Sequence, residues 1–251
     1  MLGSWGPLFS FLALLLVLMV LRKVLNQHLP GVIYLLTRSE ELAFLFYFLL
    51  LLPGVVLHEL SHWLAAKLLG VRVGSLSLGP KSMDGGKRME MGAVRIGSTD
   101  PFRESLIGVA PLVTGSALIL YLAECRLGVE VLSSQVIVNL PVSIGRYLSA
   151  PDVWIWVYLI FAVSNAMLPS ESDRRPWWTL LLYTLVMALV FYFVGGIRQI
   201  PEPVLGLGLT SVQYLSWAFG LTIAVDLLVV LLLLAVEALI WLLLGRRLDW
   251  L

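Results

Sequence analysis

Charge is what this sequence has least of. Acidic and basic side chains make up 13% of its 251 residues, about half the share in soluble domains. Hydrophobic residues make up 59%. A chain this short cannot hold so many apolar residues in its interior, so much of its surface must face lipid. The net charge of +1 gives no reason to expect nucleic acid as a partner. The single cysteine, Cys125, excludes a disulfide framework and any multi-cysteine metal site. Histidine and asparagine are equally scarce: His28, His58 and His62, and Asn26, Asn139 and Asn165. The first 21 residues carry no charged side chain, and Leu8–Leu21 runs into Arg22 and Lys23 without a small-residue cleavage site. That pattern predicts a retained membrane helix rather than a signal peptide.

Apolar stretches near the ~20-residue spanning length recur at Trp5–Leu25, Leu42–Leu69, Ser105–Leu122, Val153–Leu168, Trp177–Val194 and Tyr214–Leu244. The expected fold is an all-α polytopic membrane protein with about six transmembrane helices. Pro53-Gly54 should kink the second helix without dividing it, because the piece before Pro53 is too short to span. With the loop after that helix placed in the cytoplasm, 11 Lys and Arg fall on its side and 6 on the other. An excess of basic residues marks the cytoplasmic face. Six spans would then put both termini there. The polar segment Val71–Asp100 alternates apolar and polar residues on either side of Asp84-Gly85-Gly86. It should form a small β-ribbon at that surface. The chain reads as one membrane-embedded unit, 1–251, with its core at about 41–175 and the ribbon at about 71–100.

The second helix carries His58-Glu59-Leu60-Ser61-His62. Histidines at i and i+4 stand one above the other on a single helical face and can chelate one metal ion. Glu59 lies about 100° around the helix and can reach a water on that metal. Zinc lowers the pKa of bound water toward ~7, and a carboxylate can take the proton as the water attacks a carbonyl. Ionisable side chains deep in a membrane helix cost about 2.5–3.5 kcal/mol each, so three within five residues ask for a metal or polar partners. A catalytic zinc takes three protein ligands. His28 and Cys125 are expected on the other side of the membrane, which leaves a carboxylate at the end of the fourth helix, Asp173 or Glu171. Asp226 and Glu237, eleven residues apart in the last stretch, are further intramembrane acids. They face either the cavity or a second subunit, unless Glu237 reaches Arg246 or Arg247.

Three segments resemble the site-2 proteases, a family of intramembrane zinc metalloproteases. One is His58-Glu-Leu-Ser-His62 followed by Ala66, Gly70 and Val73 and then Gly79-Pro80. Another is Ile107-Gly-Val-Ala-Pro111-Leu-Val-Thr-Gly115. The last is Asn165 to Asp173, which keeps the family's eight-residue step between asparagine and zinc-binding aspartate. The resemblance covers about 53–173. It departs from the family at Ser172-Asp173-Arg174, where Leu-Asp-Gly is usual, at Pro169, one place late, and after Pro111, where an asparagine is usual. It therefore identifies a divergent member.

The resemblance implies His58, His62 and Asp173 as zinc ligands, Glu59 as the base, and Asn165 as a residue that places the substrate or polarises its carbonyl. The substrate would be a single-pass membrane protein cut in or near its helix, with release of a membrane-tethered factor as the regulatory outcome. The expected setting is a prokaryotic cell membrane, with the active site toward the cytoplasm. Two other readings compete: a non-proteolytic protein with a structural or relic zinc, and a transporter that uses the intramembrane acids.

Overall fold

The structure is a computed structural model and describes residues 6–83, 88–129, 152–193 and 202–246. The expected turn at Asp84-Gly85-Gly86 and most of the linker after Glu124 lie outside these residues. The elements in chain order are α1 (Gly6–Thr37), α2 (Glu40–Leu68), β1 (Val73–Met83), β2 (Arg88–Ile96), α3 (Pro101–Cys125), α4 (Val153–Met167), α5 (Glu171–Arg174), α6 (Trp177–Phe193) and α7 (Glu202–Leu244).

Local chemistry accounts for the boundaries. The α1 helix stops at Arg38, whose φ of 57° leaves helical space. Ser39 starts α2 by accepting a hydrogen bond from the Leu42 amide, and Glu40 and Glu41 lie where the helix dipole favours negative charge. Pro53 sits inside a continuous α2, so this stretch is one helix, as its length required. Lys67 in the last turn of α2 lies over the Trp63 ring at 3.9 Å. The two strands form an antiparallel ribbon, with Leu76 opposite Val94 and Leu78 opposite Gly92. Asp100 caps α3 by accepting from the amides of Phe102 and Arg103.

Four helices are long and apolar enough to cross a membrane: Gly6–Thr37, Glu40–Leu68, Pro101–Cys125 and Gly206–Leu244. The bent pair Val153–Met167 and Ser172–Met187 makes up to five. About six had been expected, and the difference lies in that pair. An independent span at α6 would have to reverse direction, whereas it departs from α4 by 55°. Leu and Val side chains stay exposed along much of α6 and α7, as on surfaces that face hydrocarbon.

Side-chain pairings show the directions of the remaining helices. Tyr158 donates to the Leu50 carbonyl and His58 to that of Ala166, so α4 runs parallel to α2. Phe11 stacks on Phe219 at 5.3 Å and His28 bonds Glu237, so α1 runs parallel to α7. One apolar cluster joins Leu25, Leu29 and Val32 of α1 to Phe48 and Leu51 of α2 and Leu233 of α7. A second joins Leu18 to Ile119, Ile160 and Phe219.

Two basic residues fall elsewhere than the 11-to-6 division had them. Arg246 donates to the Leu35 carbonyl, at the end of the bundle away from Lys67. Arg22 donates to the Leu168 carbonyl, at the same end of α4 as Asp173. The division assumed six spans, and the described residues offer four candidates, or five with the bent pair counted as one.

Candidate metal centre

The bundle brings His58 and His62 from α2 to Asp173 from α5. The two histidine Nε2 atoms lie 3.0 Å apart. Asp173 Oδ1 is 3.2 Å from Nε2 of His62, and Oδ2 is 3.7 Å from Nε2 of His58. Together the three side chains could hold a metal ion.

The other side of each ring explains why. His58 Nδ1 lies 2.7 Å from the Ala166 carbonyl oxygen, and His62 Nδ1 lies 2.9 Å from that of Ile107. A carbonyl can only accept, so each Nδ1 must carry the hydrogen and donate. Both Nε2 atoms of the neutral rings then hold lone pairs. Two nitrogen lone pairs and a carboxylate converge on one point, an arrangement that could hold a metal ion. A tetrahedral ion with bonds of ~2.0–2.1 Å needs donors about 3.3–3.4 Å apart; the histidine nitrogens lie 3.0 Å apart, and they face different oxygens of Asp173, at 3.2 Å for His62 and 3.7 Å for His58.

Asp173 is held from behind. It occupies the N3 position of α5, and Ser170 caps that turn. The Ser170 amide donates to Oδ2 at 2.7 Å and the Ser170 hydroxyl at 2.6 Å. Gly108 of α3 lets this turn sit close, since a Cβ there would meet the Asp173 carbonyl oxygen at 2.5 Å. The side chain of Glu171, the other carboxylate the sequence left open, lies outside those described.

A half-open cleft of about 1210 Å³ contains the three groups. Glu59, buried at 7% exposure, lines it beside β2. At Gly92, a Cβ would come within 2.8 Å of Glu59 Cγ and 2.9 Å of Oε1. The strand backbone thus packs directly on this carboxylate side chain, and Gly92, Ala93 and Val94 form part of the cleft wall.

Asn165 also lines the cleft, with its Nδ2 directed inward to the Phe161 carbonyl at 2.9 Å and to Asp226 Oδ1 at 3.1 Å. Asp226 therefore reaches the edge of the site. Glu237 is distant from it and bonds His28 at 2.7 Å, rather than Arg246. Cys125 stands exposed at the end of α3. Sequence reasoning did not find Ser170, the two backbone carbonyls or Arg22. Only Arg22, a charge inside an apolar helix, carried a signal that could have raised it.

No family model matches the chain, and no curated protein or solved structure shows a significant match.

Proposed function

We propose that this chain is an intramembrane zinc endopeptidase that cuts single-pass membrane proteins in or near their transmembrane segments, as the site-2 proteases it resembles do. The observation that carries this reading is the convergence of His58, His62 and Asp173, with both Nδ1 hydrogens committed to backbone carbonyls. Two imidazoles and one carboxylate suit zinc, and three protein ligands leave a position open for catalysis. Glu59 in the same cleft supports an enzyme over a structural metal site, which needs no base.

Bound zinc would supply a Lewis acid that activates water and polarises a carbonyl. Glu59 takes the proton of the attacking water and passes it to the leaving nitrogen as the C–N bond breaks; the acid so formed yields its remaining proton to the amine, leaving a carboxylate and an ammonium group. The amides of a helical substrate are shielded by their own hydrogen bonds, so the substrate must unwind locally. The β2 backbone in the cleft wall is suited to hold the unwound strand by edge pairing.

The test is metal analysis and cleavage of a single-pass reporter by the purified full chain. Glu59→Gln should keep its metal and lose about 10²–10⁴-fold in turnover. Asp173→Ala should lose most metal and all activity. Full activity in the Glu59→Gln variant would end the reading.

A further inference from the structure

Asn165 has one amide nitrogen with two hydrogens, and both are engaged. They point to the Phe161 carbonyl and to Asp226 Oδ1. Turning the amide over would set its oxygen against a carbonyl and a carboxylate, three acceptors together, so the network admits one orientation. The remaining polar atom is Oδ1. Among the described residues, the buried side-chain atoms without a partner are Trp177 Nε1 and Thr222 Oγ1. Oδ1 is not one of them, and Asn165 keeps 7% exposure in the cleft. With both hydrogens directed inward, Oδ1 is the polar side-chain atom that Asn165 has left to offer the cleft it lines. Asp226 is 1% exposed and comes from α7, a helix that supplies none of His58, His62 and Asp173.

We propose that Asp226 is a positioning residue that holds the Asn165 amide nitrogen inward, so that Asn165 presents a hydrogen-bond acceptor to the substrate. The group it receives is then an N–H, of which an extended peptide backbone offers one per residue. An amide with no hydrogen to spare cannot polarise a substrate carbonyl, so of the two roles considered for Asn165 this leaves placement. The substrate half of the proposal rests on the endopeptidase reading; the Asp226–Asn165 coupling does not.

The scarcity of asparagine makes the coupling measurable. The chain has three asparagines, so ¹⁵N-asparagine labelling of the full chain gives three side-chain NH₂ groups, and Asn165→Ala identifies the one at issue. In Asp226→Ala the Asn165 NH₂ signals should shift, and their hydrogen exchange should quicken by about tenfold or more as one bond is lost. Asp226→Asn adds a fourth labelled NH₂ group of its own but keeps an acceptor oxygen, and should restore the slow exchange of the Asn165 pair. Unchanged exchange in Asp226→Ala overturns the coupling whatever the protein cleaves.

The acceptor role is read with backbone N-methylated peptides. Methylation at one position should raise KM about tenfold with little change in kcat for the natural chain and for Asp226→Asn. The penalty should vanish for Asp226→Ala, with metal content unaltered. If the natural chain cleaves every N-methylated peptide equally well, the acceptor role is wrong. If it cleaves no peptide at all, the endopeptidase reading and the substrate half fall together, and the exchange experiment still decides the coupling.

Discussion

Replacing Ser170 with alanine removes one of two hydrogen bonds that hold Oδ2 of Asp173. The hydroxyl bond, at 2.6 Å, is lost, while the amide bond, at 2.7 Å, survives. A hydrogen bond to a charged acceptor contributes about 1.5–3 kcal/mol. Asp173 keeps 14% side-chain exposure, so water replaces the hydroxyl poorly. Part of that energy is lost equally with and without metal, and the rest appears as affinity. Removing such an outer partner commonly costs about 10–100-fold in metal binding, or about 1.4–2.8 kcal/mol at 1.4 kcal/mol per tenfold. We expect Ser170→Ala to fall in this range in a chelator-competition titration of the purified chain. Ser170→Thr keeps the hydroxyl and should stay within about threefold of the natural protein. Unchanged affinity in Ser170→Ala would refute the reasoning, because the capping turn would then not be what aims the carboxylate. A loss as complete as that of Asp173→Ala would refute it too, by making Ser170 a ligand in its own right.

Two further predictions follow from the strand and from the cap of α3. Gly92→Ala puts a methyl group within 2.8–3.1 Å of three Glu59 atoms, so Glu59 or the strand must shift. Turnover should drop about tenfold or more, as misplaced catalytic groups do, with metal content unchanged; an equal rate would show that Glu59 has room to spare. Asp100 is held below the usual carboxylate range, first by the Arg103 amide and also by that of Phe102. Its cap should therefore stabilise α3 fully above the unfolded value of ~3.9 and be lost as pH falls through the lower folded one. Asp100→Asn keeps an acceptor and should flatten thermal stability between about pH 5 and pH 3 relative to the natural protein; identical slopes would count against the cap.

The candidate metal-binding pair was legible because its geometry is local. Four residues of helix fix the spacing of His58 and His62, whatever surrounds them. The ribbon was legible for a similar reason, since alternation in Val71–Leu78 and Ala93–Ile96 is a property of neighbours. The third candidate ligand was narrowed to Asp173 or Glu171 by which helix ends could share a side; the structure brings Asp173 to the pair, and the Glu171 side chain lies outside those described. The supporting contacts could not be read at all. The acceptors for His58 and His62 are main-chain carbonyls of Ala166 and Ile107, and every residue type carries a carbonyl. For Glu237 the sequence left open the cavity, a second subunit, or Arg246 or Arg247 nearby along the chain. It meets His28 instead, because α1 and α7 lie side by side.

By itself, the sequence determined that the chain is apolar enough to live in a membrane, that it is mostly helical, and that one helix carries two histidines on one face beside a carboxylate. These are properties of composition and of short-range periodicity, which tertiary contacts modify little. Only the tertiary structure showed how the apolar runs lie against one another, because hydropathy records how apolar a segment is and not which way it points; the 55° bend between α4 and α6 leaves no trace in composition. The same holds for Asp226 meeting Asn165 across 61 positions of chain. A carboxylate buried in an apolar helix must find a donor, and which donor it finds depends on the helices packed against it.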